Sequence, residues 1–232
     1  MIEMNKIRHA APFAAVAAIV LIVGGCAAPE SAERDGKVDY TKMSTEELGE
    51  YLVMESGSWD LKQETQEGGT ARDRMTQDEL QKVCSETRNQ PSPEQAGQII
   101  ADARASITYP EGGIRLGDWR SGQDLSWGGF GFRIVHNPDD HSQRDPSGNC
   151  YNCHAMSPDR IGGTLGPSLT GYGKQRGNNE TTRRFVYEMI YNPHAYFPCT
   201  NMPRMGAKNL LSEQAIADIM AYVLHPDSPV NQ

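Results

Sequence analysis

The sequence predicts an all-α protein. Three observations carry this. Apolar residues recur at helical spacing, above all at Ala96, Ile99, Ile100, Ala103 and Ile107. Those stripes follow Ser or Thr residues with Glu or Pro at the positions that start a helix. No segment carries a convincing strand alternation.

Residues 1–25 read as an export signal. Lys6, Arg8 and His9 precede an almost unbroken apolar run over residues 10–23, too short for a good spanning helix. Val23-Gly24-Gly25-Cys26 resembles a bacterial lipobox, in which Cys26 is lipidated and becomes the new N-terminus; the alternative is cleavage near Ala28 and loss of Cys26. A lipid there would hold the chain at a membrane surface without spanning it. Residues 26–43 are small and polar, a tether.

Residues 44–114 read as a helical extension. Ser44 with Glu47 starts one helix, with Leu48, Tyr51, Leu52 and Met54 as its apolar residues. Residues 56–75 read as loop. Thr76 with Glu79 starts a second helix, with Leu80 and Val83 inward, and Ser92 with Pro93 a third.

Residues 115–232 read as the main domain. A helix is expected over Trp119–Trp127, then a Gly-, Asp- and Pro-rich loop over 128–148. Glu180–Tyr191 is helical and stopped by Pro193; Ser212 caps a last helix with Ile216, Ile219, Met220 and Val223 on one face.

Hydrophobic content is 38%, low for a packed globule, so a buried cofactor would supply part of the core. Net charge is −8 with no basic block, which argues against nucleic acid. Signal removal takes Glu3, Lys6 and Arg8 and makes the balance one unit more negative, which favours basic partners.

Cys150-Tyr151-Asn152-Cys153-His154 carries the chemistry. Two thiols at this spacing can add to both vinyl groups of one haem, and the adjacent His154 then stands as axial ligand. Zinc would want a second ligand pair, and no further CxxC or HxxxH exists. A thioredoxin-like site would want a βαβ setting, which is absent. Cys84 and Cys199 remain; in an oxidising compartment they are expected to form one disulfide, the alternative being two buried thiols.

Downstream, Gly166-Pro167-Ser168-Leu169 stands where class I cytochromes c, which this chain resembles, place a GPxL turn. A carbonyl near Pro167 would accept the second ring proton of His154, and Leu169 would pack on the haem edge. The resemblance makes Met202, followed by Pro203, the second axial ligand; Met205, His136, His141 and His194 are the other candidates. With His and Met on iron no open position remains, which leaves one-electron transfer.

A narrower resemblance covers residues 76–232. It lies in the run 148–154, in Gly166-Pro167-Ser168-Leu169-Thr170-Gly171-Tyr172-Gly173, in Cys199-Thr200-Asn201-Met202-Pro203-Arg204 and in the closing 224–231, with Val83-Cys84 and Gly117-Asp118-Trp119 upstream. These blocks are similar to the SoxX family, the monohaem subunits of SoxAX complexes in bacterial sulfur oxidation. Met205 stands where that family is expected to have Phe, and residues 129–133 are more aromatic than its pattern. The resemblance implies a periplasmic heterodimer with a SoxA-like c-type cytochrome. It implies a SoxYZ-like carrier whose cysteine receives thiosulfate, and a downstream cytochrome c as acceptor. The chain alone would not be catalytic; it would be the electron-accepting subunit of an L-cysteine S-thiosulfotransferase. A free-standing periplasmic shuttle cytochrome and a haem enzyme or sensor with an open iron position are the competing readings. The roughly 90 residues before the haem domain favour a partner-binding role over a shuttle.

Overall fold

The computed structural model describes residues 38–65, 69–131 and 145–232. The signal segment with Cys26, most of the tether, and His136 and His141 lie outside them, as do residues 132–144 of the loop. The chain divides into two units, Met1–Met43 and Ser44–Gln232. In the first, the described part is a 3-10 turn, Tyr40–Lys42, capped by Asp39.

The second unit is helical, and no named strand occurs among the described residues. Its first helix, α1 (Thr45–Glu50), has the full Ser44/Glu47 capping box and runs on into a π-helical turn, Tyr51–Glu55. Leu52, one of the apolar residues of this helix, is 48% exposed, and Trp59 is 40% exposed. Residues 56–75 are not all loop. Thr70 and Asp73 form a capping box that starts a short helix, α2 (Ala71–Met75). The next helix begins later than Thr76, because Thr76 closes α2 with its hydroxyl on the Arg72 carbonyl, 2.8 Å. Asp78 caps α3 (Glu79–Glu86) in a box with Gln81. Helix α4 (Pro93–Ala105) has the Ser92 cap and the N-terminal proline, and buries Ile99 and Ala103.

The core forms around the last helix. Helix α5 (Trp119–Trp127), capped by Asp118, crosses α8 (Glu213–Leu224), capped by Ser212. The crossing is close because Gly122 lies on the Asp218 backbone, where a Cβ would overlap the carbonyl. The Gly117 N–H donates to the Ala217 carbonyl (3.0 Å) and the Asp118 N–H to the Asp218 carboxylate (2.8 Å). Ile216, Ile219, Met220, Tyr222 and Leu224 are almost wholly buried. A short helix, α6 (Tyr172–Arg176), was not expected; Gly171, at φ 70°, starts it, and Asn231 ties it down by accepting the Lys174 N–H. The Asn231 amide also donates to the Val223 and His225 carbonyls, closing the C-terminal end of α8.

Helix α7 (Glu180–Tyr191) packs on α8 and ends in the 3-10 turn Pro193–Ala195, on which α4 rests. Its buried Glu188 accepts from Tyr109 (2.6 Å) and Arg184 (2.7 Å) and from the Tyr196 hydroxyl, which binds the segment after α4 to this helix. Burial opposes that charge, but the three donors hold the carboxyl below its ordinary range. A satellite core of Cys84, Ile99 and Cys199, with Leu80 and Val83 against it, joins α3, α4 and the loop before α8.

Candidate haem site

Cys150 opens a 3-10 turn, Cys150–Asn152, whose buried Tyr151 anchors it. The Tyr151 ring meets Trp127 edge-on at 5.4 Å, and its hydroxyl lies 3.3 Å from that of Tyr222. The His154 N–H donates to the Cys150 carbonyl at 2.9 Å. The motif is therefore one compact turn standing on α5 and α8.

Cys150 and Cys153 are not bonded to each other. Burial pushes the Cys150 thiol up to about 11, with the Ser126 hydroxyl working against it. A thiol at that value is a poor exchange nucleophile at neutral pH, unlike the low-pKa cysteine of a thioredoxin-like site. Among the described residues no group of three or more His, Cys, Asp or Glu side chains is placed to hold a metal ion.

His154 lies with Nδ1 2.7 Å from the Pro167 carbonyl. A carbonyl only accepts, so Nδ1 carries the proton and Nε2 keeps its lone pair. That is the tautomer an axial ligand needs. The loop between them comes back over the motif through backbone bonds, Gly163 N–H to the Tyr151 carbonyl and Gly166 N–H to the Cys153 carbonyl, each 2.8 Å. Gly162, Gly163 and Gly166 permit this approach: a Cβ on any of them would overlap residues 152–155, and at Gly166 it would strike the His154 ring itself. Leu169 donates its N–H to the Ala155 carbonyl at 2.7 Å and packs against the main core.

A cavity of about 490 Å³ is lined by Thr108, Pro146, Tyr191, Leu211, Glu213 and Ile216 among others, and by none of residues 150–154. Gly148 stands between the first cysteine and the core: a Cβ there would lie 3.2 Å from Cys150 Sγ, 3.5 Å from Ile219 Cδ1 and 3.6 Å from Leu211 Cδ1. Two unbonded thiols and a histidine with a free Nε2 on one turn are a donor set that fits a covalently held haem.

Residues 146–226 match the family model for cytochrome c. An uncharacterized lipoprotein of Aquifex aeolicus (strain VF5) is 39% identical over 158 residues, 67% of this chain and 73% of the relative. This chain is a cytochrome c-domain protein of that lipoprotein's family. The cytochrome c domain has the all-α fold expected, and such a domain carries covalently bound haem c and serves electron transfer. No described helix is long and apolar enough to cross a membrane.

The structure brings Cys84 and Cys199 together in a disulfide, 115 residues apart in sequence. Met202 and Met205 are both half-buried and both pack against the core that holds Cys150 and Leu169. His194 differs from His154 in one respect. Its Nδ1 accepts the Cys199 N–H at 3.1 Å, so its proton sits on Nε2, which therefore has no lone pair for a metal. Burial, and then the Arg204 charge, lower its pKa to about 4, with Asp78 opposing. His194 is one of the ligand candidates in the sequence; the hydrogen bond that gives it another task comes from a residue five positions on. Asp78 was also missed. It accepts from Arg204 (2.8 Å) and Lys208 (2.7 Å), joining α3 to the segment after Met202. Burial raises its pKa, but hydrogen bonds from Lys208, the Gln81 amide and Arg204 outweigh that and hold it at about 2.

Proposed function

We propose that this protein is an exported monohaem cytochrome c, the electron-accepting subunit of a SoxAX-type complex. One observation carries the electron-transfer half of the reading: Cys150, Cys153 and a His154 with its Nε2 lone pair stand on one turn, oriented by the Pro167 carbonyl. The haem, when bound, supplies reversible one-electron chemistry at its iron.

The chain's own residues do the rest. Cys150 and Cys153 would hold the haem through thioether bonds, and His154 and Met202 would ligate its iron. Pro167 fixes the His154 tautomer, and Leu169 lines the pocket. Trp127, Tyr151 and Tyr222 keep the attachment turn rigid through their mutual hydroxyl and indole contacts. Lipidated Cys26 tethers the protein to a membrane in the periplasm.

Several features support the SoxAX part. The motif blocks run in the family's order from residue 76 to the end. The Cys84–Cys199 bond leaves no spare thiol for sulfur transfer, so that chemistry falls to a SoxA-like partner and a SoxYZ-like carrier. The extension also offers exposed Leu52, Val53 and Trp59, apolar surface suited to a partner. Electrons then pass to a downstream cytochrome c.

The test is co-expression with a SoxA-like cytochrome, size exclusion, and stopped-flow haem reduction by thiosulfate. A stable heterodimer, reduced only when the partner and carrier are both present, is expected. A monomer reduced equally well without them would replace this reading by the free-standing shuttle. Met202→Ala should abolish the sulfur-to-iron band of the oxidised protein and lower its potential; Met205→Ala should leave both in place.

A further inference from the structure

We infer that His194 is the positioning residue of the Met202 loop: its buried imidazole holds the Cys199 amide and thereby sets where the Met202 thioether stands. This rests on the reading of Met202 as axial ligand.

His194 is 4% exposed and sits in the 3-10 turn after α7, with its own N–H bonded to the Asn192 side chain at 3.3 Å. Its ring accepts from the Cys199 N–H. Cys199 stands at φ 58°, the left-handed region that a non-glycine residue adopts at a cost and keeps only when its surroundings impose it. Two constraints impose it here. The disulfide from Cys84 holds the side chain, and the imidazole holds the backbone. Three residues on, the Met202 N–H approaches the Thr200 hydroxyl at 3.4 Å, so Met202 takes its direction from a segment already anchored at Cys199. His194, Cys199 and Met202 line one cavity of about 750 Å³ together with Cys84, Arg204 and Lys208.

A histidine that only filled the core would cost stability when replaced and nothing else. A positioning histidine predicts a spectroscopic change that depends on an acceptor at Nδ1. Three variants of the full-length holoprotein separate the two. His194→Asn can place an amide oxygen where Nδ1 stands; His194→Phe fills the space without an acceptor; Met202→Ala is the reference. His194→Phe is expected to lose the sulfur-to-iron band and to shift the potential in the direction of Met202→Ala. Its Cys199 amide should exchange faster by on the order of tenfold. His194→Asn is expected to keep the band and the potential. Retention of both by His194→Phe, whatever its melting temperature, would overturn the proposal. If Met202→Ala itself keeps the band, the ligand reading fails instead, and amide exchange in the Phe and Asn variants still judges the brace. Should His194→Phe not fold, nitrogen NMR of the reduced wild-type protein decides: a proton on Nε2 with a protected Cys199 amide supports the brace, and a proton on Nδ1 overturns it.

Discussion

His154 donates through Nδ1 and His194 accepts through the same atom, and the two regions around them are built as differently as their tautomers. The attachment turn is local. Its cysteines, its histidine and the Pro167 carbonyl fall within residues 150–167, joined by backbone bonds and by glycines that leave no room for side chains. The Met202 loop is held from a distance. Asp78 and Cys84 reach it from the extension, and His194 from the end of α7. The turn is rigid because its own chain folds back on it, whereas the loop stays in place only while remote elements stay folded. This assigns the extension a task within the cytochrome c domain, apart from any partner: it stabilises the side that carries Met202.

The comparison is broken most directly at the attachment turn. Replacing Cys150 and Cys153 together by Ala should leave no pigment that survives acid-acetone extraction, with the extension still folded by circular dichroism. Replacing Cys84 and Cys199 by Ser removes a cross-link over 115 residues, for which the chain-entropy estimate is about 4–5 kcal/mol. Urea unfolding should show that loss, while covalent haem attachment continues. Gly166→Ala drives a methyl group into the His154 ring. A cost of about 1–3 kcal/mol and a shifted haem potential are expected, with the Cys84–Cys199 bond intact on peptide mapping. The smallest effect lies at Asp78, whose ion pairs with Arg204 and Lys208 are partly exposed. Asp78→Asn should cost about 1 kcal/mol at neutral pH. Because the folded carboxyl is held at about 2, below its ordinary value, the wild type's advantage is full above about pH 4 and fades as pH falls toward 2. Thermal melts of both proteins across that range check the sign.

The helices were legible where a single local signal stood alone. Ser44, Ser92 and Ser212 each cap the helix that their spacing predicts. Between residues 70 and 81 three capping patterns overlap, and the reading from Thr76 lost to those from Thr70 and Asp78. Asp78 also gathers Arg204 and Lys208 from far along the chain, interactions to which a window of a dozen residues is blind. Leu52 has the spacing of a buried residue and is exposed, since no element of the described chain covers it.

By itself the sequence determined the all-α class and the CxxCH turn of a cytochrome c domain, because these depend on residues close in the chain, where spacing alone sets geometry. Only the tertiary structure decided which atom of each histidine carries the proton, what holds Cys199 in its left-handed conformation, and that the extension anchors the Met202 loop. Those outcomes depend on which donor or acceptor arrives from another element, and the arrival is a product of packing.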